Sequence, residues 1–230
     1  MALTDNLVAY YKFDENTGST AWDSVGSNDG TISGATRTTW KINSWLSFDW
    51  TNDEVSLWNI SSLFTTNEAS LVMWVKLDVA TPVNVAQTWF AAFWTDSARS
   101  HYPFTDGLAY IETFRSSRVN SISLSGSIDR TTWHMVTITT TPWTNWWKMY
   151  QNDTLIHQTT WEASVSIPTS SFIWKSVSAG GDSFIDWVVD EVWLRSRTLS
   201  SSEITELYNS WAWLQYPFST ANTTNFFFMM

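Results

Sequence analysis

Three carboxylates that could act as acid and base lie close together in the sequence, at Asp186, Asp190 and Glu191. Hydrolysis of a glycosidic bond needs two carboxyl groups that face the bond from one surface. Adjacent residues of a β-strand point to opposite faces, so Asp190 and Glu191 do not form such a pair in a regular strand. Glycoside hydrolysis is therefore the less favoured alternative, and we predict a protein without catalytic residues.

The histidines do not change this expectation, because they lie far apart in the sequence and lack the Ser and Asp context of a catalytic triad. They also lack the spacing of a zinc site. They are His101, His134 and His157.

Two loops carry clustered side-chain oxygens, which are the ligands that calcium prefers. The first is the turn containing Asn52 and Asp53, and the second is the loop containing Asp23, Asn28 and Asp29. We predict calcium as a cofactor at these loops. The structural alternative is that these side chains form Asx-type turns and bind no metal.

Short segments of alternating hydrophobicity, separated by polar turns, must position these residues. Residues 70–77 alternate in this way, which is typical of a strand with one face in a core and the other more exposed. About a dozen such segments at close spacing indicate an all-β protein with two antiparallel sheets. One helix is also predicted, with Ser200 as N-cap, Glu203 in a capping box, and Ile204, Leu207 and Tyr208 as its apolar stripe.

Composition excludes several classes of partner. The chain has 230 residues, a net charge of −10 and no cysteine, and its Lys and Arg residues form no basic stripe of the kind that binds nucleic acid. There is no apolar segment long enough to span a membrane, and residues 1–6 do not resemble a signal peptide. The absence of cysteine excludes a disulfide framework.

Two segments resemble the laminin G-like domains of the concanavalin A-like lectin and glucanase class. Residues 48–55 resemble the strand-turn-strand F-D-G-T-N-D-x-V of these domains, and residues 185–208 resemble their closing D-E-V strand, R-x-L-S turn and E-I-x-x-L-Y helix. The resemblance implies a two-sheet antiparallel jelly-roll sandwich over residues 1–218, with one short C-terminal helix. Residues 219–230 are predicted to be a polar linker and an apolar tail.

The eighteen tryptophans are unusual beside only eight glycines. Many stand in polar turns, or where the resemblance implies glycine, and we hypothesise that a UGA codon read as glycine has been translated as tryptophan. The alternative is an aromatic surface that stacks on sugars. Four tryptophans, Trp22, Trp74, Trp133 and Trp147, are interpreted as true side chains. The other fourteen are Trp40, Trp45, Trp50, Trp58, Trp89, Trp94, Trp143, Trp146, Trp161, Trp174, Trp187, Trp193, Trp211 and Trp213.

The resemblance implies a recognition or adhesion module that binds glycans or surface proteins, with the help of calcium. We expect it to act outside the cell, on a cell surface or in a virion. The alternative is a structural subunit of a tail or surface assembly that binds no glycan. The apolar residues 226–230 could support an oligomer in either case.

Overall fold

A computed structural model describes most of the sandwich and its helix. The described residues are 2–39, 44–49, 51–58, 60–64, 66, 68–77, 88–90, 98–101, 108–113, 122–123, 132–141, 147–158, 170–173, 175–176, 183–184 and 187–208. The predicted linker and tail at 219–230 and the carboxylate Asp186 lie outside them. No helix among the described residues is long and apolar enough to cross a membrane.

Most of the described residues form short strands, as the alternating segments predict. In chain order the strands are β1 Leu7–Tyr11, β2 Thr20–Ala21, β3 Gly30–Ser33, β4 Thr36–Thr39, β5 Ser44–Ser47, β6 Glu54–Trp58, β7 Ala69–Leu77, β8 Thr88–Phe90, β9 Ala98–His101, β10 Leu108–Thr113, β11 Ile122–Ser123, β12 His134–Thr140, β13 Trp147–Gln151, β14 Thr154–Gln158, β15 Ser170–Ile173, β16 Lys175–Ser176, β17 Ser183–Phe184 and β18 Trp187–Arg195. A 3-10 turn spans Ile60–Leu63, and one helix, α1, spans Ser201–Tyr208.

The strands form two antiparallel sheets of eight strands each, which confirms the all-β sandwich. The first sheet has the order β14-β13-β12-β7-β18-β5-β4, and β1 also pairs with β18. The second has the order β11-β10-β9-β8-β15-β6-β3-β2, and β16 and β17 form a separate hairpin. Strand β18 is central, because it pairs with β7 on one side and with both β5 and β1 on the other.

The main core lies between the two sheets. Leu46, Val75 and Val189 of the first sheet pack there with Val55 and Leu57 of the second. This burial is the main favourable term in the stability of such a sandwich.

A second cluster lies on the opposite face of the first sheet, which we call the outer face. Val72, Trp74 and Trp193 are buried there with Ile204 and Leu207 of α1. The predicted alternation in β7 is therefore wrong about exposure: the face carrying Val72 and Trp74 is fully buried. The physical reason is that α1 covers it, which a strand pattern alone does not reveal.

Helix α1 begins as its capping box predicts. The Oγ of Ser200 accepts a hydrogen bond from the backbone N–H of Glu203 at 3.3 Å, and the N–H of Ser200 donates to Oε2 of Glu203 at 2.9 Å. These two bonds satisfy donors that a helix N-terminus otherwise leaves without a partner. Tyr208, at the other end, stacks on Trp74 with ring centroids 6.0 Å apart, which confirms the apolar stripe.

Two arginines tie residues 2–5 to the end of β18 and the start of α1. The fully buried guanidinium of Arg195 donates to the carbonyl of Leu3 at 2.7 Å. Arg197 donates to the carbonyl of Asp5 at 2.9 Å. These bonds join parts of the chain that are separated by 192 positions.

The described tryptophans do not occupy left-handed turns. Glu191 is one of the four non-glycine residues of the described chain with positive φ, and none of these four is a tryptophan. Turn chemistry therefore does not explain any of the five candidate glycine positions that the structure describes, all of which lie within strands, and two of which, Trp45 and Trp187, rest on the resemblance alone. The five positions are Trp45, Trp58, Trp89, Trp187 and Trp193. The other nine of the fourteen lie outside the described residues.

Candidate functional site

A β-bulge interrupts the central strand β18 at its two carboxylates. The register between β18 and β7 shifts between Asp190 and Trp193, and Glu191 has a φ of 53°. Left-handed backbone is uncommon for a residue other than glycine and often marks a functional or strained position. The bulge also marks a change of partner, because β18 pairs with β5 before it and with β1 after it.

The bulge places Asp190 and Glu191 on the same face of the sheet. Asp190 pairs with Trp74, which belongs to the outer cluster. Glu191 accepts a hydrogen bond from the phenol hydroxyl of Tyr10, another member of that cluster. Our expectation that the two carboxylates point to opposite faces is therefore wrong. The rule of alternation holds only while the strand stays regular, and a bulge adds a residue to one strand.

Both carboxylates are shielded from water. Asp190 is 4% exposed and Glu191 is 1% exposed. Burial raises the pKa of Asp190 well above its usual value, and the neighbouring charges of Glu191 and Asp14 raise it further. Its Oδ1 accepts a hydrogen bond from the backbone N–H of Glu191 at 3.0 Å. A pair this deeply buried does not present two carboxyl groups to a substrate.

Two tryptophans meet on the outer face beside the bulge. Trp45 of β5 and Trp133, just before β12, have ring centroids 5.1 Å apart. The register that pairs Val189 with Leu46 places Trp45 beside Asp190 one step further along. The aromatic pair thus lies on the same face as the buried carboxylates. Both rings are half-buried.

In the Asn52–Asp53 turn, the carboxylate of Asp53 bonds to the backbone of the turn. Asn52 is exposed, whereas Asp53 is buried and its Oδ2 accepts the backbone N–H of Asp49 at 2.8 Å. Burial raises the pKa of Asp53, although the hydrogen bond from Asp49 opposes this. The turn is close-fitting, because a Cβ at Gly34 would lie 2.0 Å from Oδ1 of Asp53.

The loop containing Asp23, Asn28 and Asp29 is held by its own hydrogen bonds. Oδ1 of Asp23 accepts the backbone N–H groups of Tyr10 and Val25, both at 3.0 Å. Its Oδ2 accepts the backbone N–H and the side-chain amide of Asn28, both at 3.2 Å. Asp29 accepts the N–H of Asp23 at 2.9 Å. The carboxylate of Asp23 therefore acts as the centre of an Asx-type turn.

No group of three or more His, Asp or Glu side chains in the described part of the chain is arranged to hold a metal ion. The carboxylates of Asp53 and Asp23 accept hydrogen bonds from the backbone of their own loops. Calcium binding by Asn52 and Asp53, or by Asp23, Asn28 and Asp29, remains a prediction. Of the histidines, His134 and His157 are buried at separate places in the first sheet, and the side chain of His101 lies outside the described part.

Beside the Asp23 loop, one tryptophan extends into solvent. Trp22 is 57% exposed and follows β2, the last strand of the second sheet. Its backbone is fixed on both sides, because its N–H donates to Oε1 of Glu15 at 2.9 Å and the next residue is Asp23. Glu15 forms an ion pair with Arg37 at 2.9 Å. This arrangement presents an exposed aromatic side chain on a backbone that a mostly buried ion pair helps to hold. We define the Trp22 surface as Glu15, Trp22 and Arg37.

The comparisons with known proteins concern the fold. No protein-family model matches the sequence, and no curated protein matches it. Solved structures do. A sialidase from Trypanosoma rangeli is 18% identical with a TM-score of 0.69, over 90% of this chain and 33% of that one. Domain 4 of AbnA, an extracellular arabinanase from Geobacillus stearothermophilus solved with arabinotriose, is 20% identical with a TM-score of 0.67, over 88% and 98%.

The binding domain of botulinum neurotoxin DC, solved with rat synaptotagmin II, is 14% identical with a TM-score of 0.68, over 94% of this chain and 53% of that one. The likeness is one of fold. At these identities it shows a jelly-roll-like β-sandwich, and this chain spans about a third of the length of the sialidase. Among these structures the sandwich occurs with both a glycan and a protein ligand.

Proposed function

We propose that this chain is a laminin G-like recognition module that binds a neutral glycan, without catalysis, through the Trp22 surface. The observation that carries the proposal is the 57% exposure of Trp22 on a backbone fixed by Glu15 and by the Asp23 loop. An aromatic side chain with two rotatable bonds on a fixed backbone loses little conformational entropy when a ligand stacks on its ring. The flat face of the ring suits the C–H face of a pyranose or furanose ring.

The surroundings of Trp22 favour a glycan over a protein partner. The Glu15 and Arg37 side chains are 17% and 11% exposed and bond to each other and to the backbone around Trp22, so the exposed part of this surface is mainly the ring itself. Protein interfaces need a larger apolar centre than one aromatic side chain. The net charge of −10 disfavours sulfated or other polyanionic glycans. The similar arabinanase domain solved with arabinotriose supports the same choice.

The burial of the candidate acid and base in the described part of the chain supports binding without catalysis. Asp190 and Glu191 are 4% and 1% exposed on the outer face. Action outside the cell or in a virion goes with this proposal, since glycans are displayed there.

The test is binding to an array of neutral and charged glycans, followed by titration calorimetry with the best neutral ligand. We expect Trp22→Ala to weaken binding by about tenfold or more, which is about 1.4 kcal/mol, while its melting temperature stays near that of the wild type. Leu155→Ala is the matched control, because Leu155 is 45% exposed and lies on β14, the end strand of the first sheet. Repeating the titration with a chelator tests calcium separately.

A chain that binds no glycan on the array would overturn the proposal. Binding that persists in Trp22→Ala would overturn the role of the Trp22 surface. Retention on a surface protein but not on a glycan would favour the protein-binding alternative.

A further inference from the structure

Two features of the β18 bulge call for an explanation that recognition by the Trp22 surface does not supply. The carboxyl groups of Asp190 and Glu191 occupy one face of the sheet and are almost completely buried. They also lie where β18 exchanges its partner β5 for β1. Burying two negative charges side by side is costly, and buried carboxyl groups in this position usually keep a proton.

The described elements around the bulge contribute groups that face it. Strand β1 supplies the hydroxyl of Tyr10 to Glu191, and Lys12, directly after β1, has its Nζ 5.6 Å from the centre of the Tyr10 ring. The segment after β1 supplies the carboxylates of Asp14 and Glu15, both of which act on Asp190.

Glu15 is itself paired with Arg37. Strand β7 places Trp74 across from Asp190, and Lys76 lies two residues further along the same face. Strand β5 places Trp45 on that face, and α1 contributes Tyr208, which stacks on Trp74. The site is thus rich in carboxyl groups beneath aromatic side chains.

We propose that Asp190 and Glu191 hold one proton between them in the folded protein, and that loss of this proton as the pH rises loosens the seam between β1 and β18. When the proton leaves for solvent, two like charges remain in a buried bulge. They repel each other, and also the carboxylate of Asp14. The repulsion acts where β1 joins β18, because the hydroxyl of Tyr10 on β1 donates to Glu191 in this seam.

The direction of the pH effect follows from burial. Because burial and the neighbouring charges raise the pKa of Asp190 above its unfolded value of 3.8, the folded state holds its proton more tightly than the unfolded state. The associated stability is fully present below the unfolded pKa and is lost as the pH rises through the folded pKa.

Two conservative variants test the proposal. Asp190→Asn keeps the oxygen that accepts the N–H of Glu191, and Glu191→Gln keeps the oxygen that accepts the hydroxyl of Tyr10. We expect either variant to melt roughly 2–6 °C above the wild type at pH 8, with the difference disappearing towards pH 4. Asp153→Asn, which changes an exposed carboxylate in the turn after β13, is the control and should follow the wild type throughout. Parallel melting profiles of wild type and both variants would overturn the proposal.

Amide hydrogen exchange in the wild type tests the same proposal without a variant. After correction for intrinsic exchange rates, we expect amide protection in β1 to fall between pH 5 and pH 8 by more than protection in β12 and β13. These strands belong to the same sheet but do not pair with β18. Equal changes in the three strands would exclude a pH-dependent seam, whether or not the variants fold.

Discussion

Arg197 holds Glu203 through two parallel hydrogen bonds, from Nη2 to Oε1 at 2.7 Å and from Nη1 to Oε2 at 3.0 Å. Glu203 also closes the capping box of α1 by accepting the N–H of Ser200. Arg197 reaches in the other direction to the carbonyls of Ala2 and Asp5. One ion pair therefore connects the start of the helix with the first residues of the chain.

Removing the charge of Glu203 should destabilise the protein. Burial alone would raise its pKa, but hydrogen bonds from Arg197 and Ser200 outweigh burial and lower it from 4.5 to about 2. We expect Glu203→Gln to lose about 2–4 kcal/mol of unfolding free energy at pH 7. Glu206→Gln, on the exposed face of the same helix, is the control and should change stability by less than about 0.5 kcal/mol. Denaturant unfolding measures both variants.

The same ion pair sets an acid limit. Because the folded pKa of Glu203 lies below its unfolded value, its contribution is complete above about pH 4.5 and is lost as the pH falls towards 2. The stability difference between wild type and Glu203→Gln should therefore shrink over this range. A constant difference from pH 6 to pH 2.5 would contradict the assignment.

Gly34 and Gly18 offer a matched pair of glycine substitutions. Both have positive φ, +77° and +87°, so alanine is strained at either position. A Cβ at Gly34 would lie 2.0 Å from Oδ1 of Asp53, whereas nothing lies within 4 Å of a Cβ at Gly18. We expect Gly18→Ala to cost about 1 kcal/mol and Gly34→Ala to cost at least about 2 kcal/mol more. Equal losses in thermal or denaturant unfolding would show that the Asp53 turn adapts easily.

His157 should weaken the fold on the acid side of neutrality. It is buried on β14, its Nε2 has no hydrogen-bond partner among the described residues, and burial lowers its pKa below the usual 6.5. The folded state therefore binds fewer protons than the unfolded state, and stability falls as the pH drops below 6.5. We expect His157→Phe to flatten the melting profile between pH 7 and pH 5. If the variant keeps the wild-type slope of melting temperature against pH, a group other than His157 causes that slope.

Two tryptophans on the outer face should respond differently to replacement by glycine. Trp193 is fully buried, and its ring lies 5.7 Å from that of Tyr10. Trp193→Gly should cost about 3–5 kcal/mol, as for other buried aromatic side chains. Trp45 is half-buried, and its replacement should cost less than about 2 kcal/mol. If unfolding measurements give similar losses of stability at the two sites, burial of the side chain does not determine the cost of its replacement.

The sequence predicts the sandwich, the helix and the cap, because each depends on local periodicity or on short-range hydrogen bonds. Ser200 and Glu203 are three residues apart, and their pairing needs no knowledge of the rest of the chain. The bulge at Glu191 could not be predicted in this way. It arises where β18 changes partners from β5 to β1, which is a property of the assembled sheet.

The candidate sites differ in the same way: a local turn can be predicted from the sequence, whereas the exposure of a side chain depends on the assembled sheet. The Asp23 loop gathers its own backbone N–H groups as an Asx-type turn, which was the structural alternative to calcium. The sequence pattern does not predict the Trp22 surface, because the exposure of Trp22 depends on which strand ends the sheet. The sequence does contain one signal for this surface: Trp22 is one of the four tryptophans that are interpreted as true side chains.

The codons of the gene test the glycine hypothesis directly. UGG at the fourteen positions would exclude it, and UGA at those positions would support it. For the five described positions the resemblance to laminin G-like domains, or a match to neighbouring residues, is the remaining reason to expect glycine. Each of the five has strand geometry that a tryptophan can adopt.

The pairing of β1 with β18 also governs how the chain can fold during synthesis. Tyr10 is synthesised 181 residues before its partner Glu191. Until β18 is made, β1 lacks this pairing partner, and apolar side chains that are buried in the folded protein stay exposed. Contacts this distant in sequence form slowly and expose partly folded chains to aggregation. Expression at reduced temperature, or with a chaperone that shields early strands, should therefore increase the yield of folded protein.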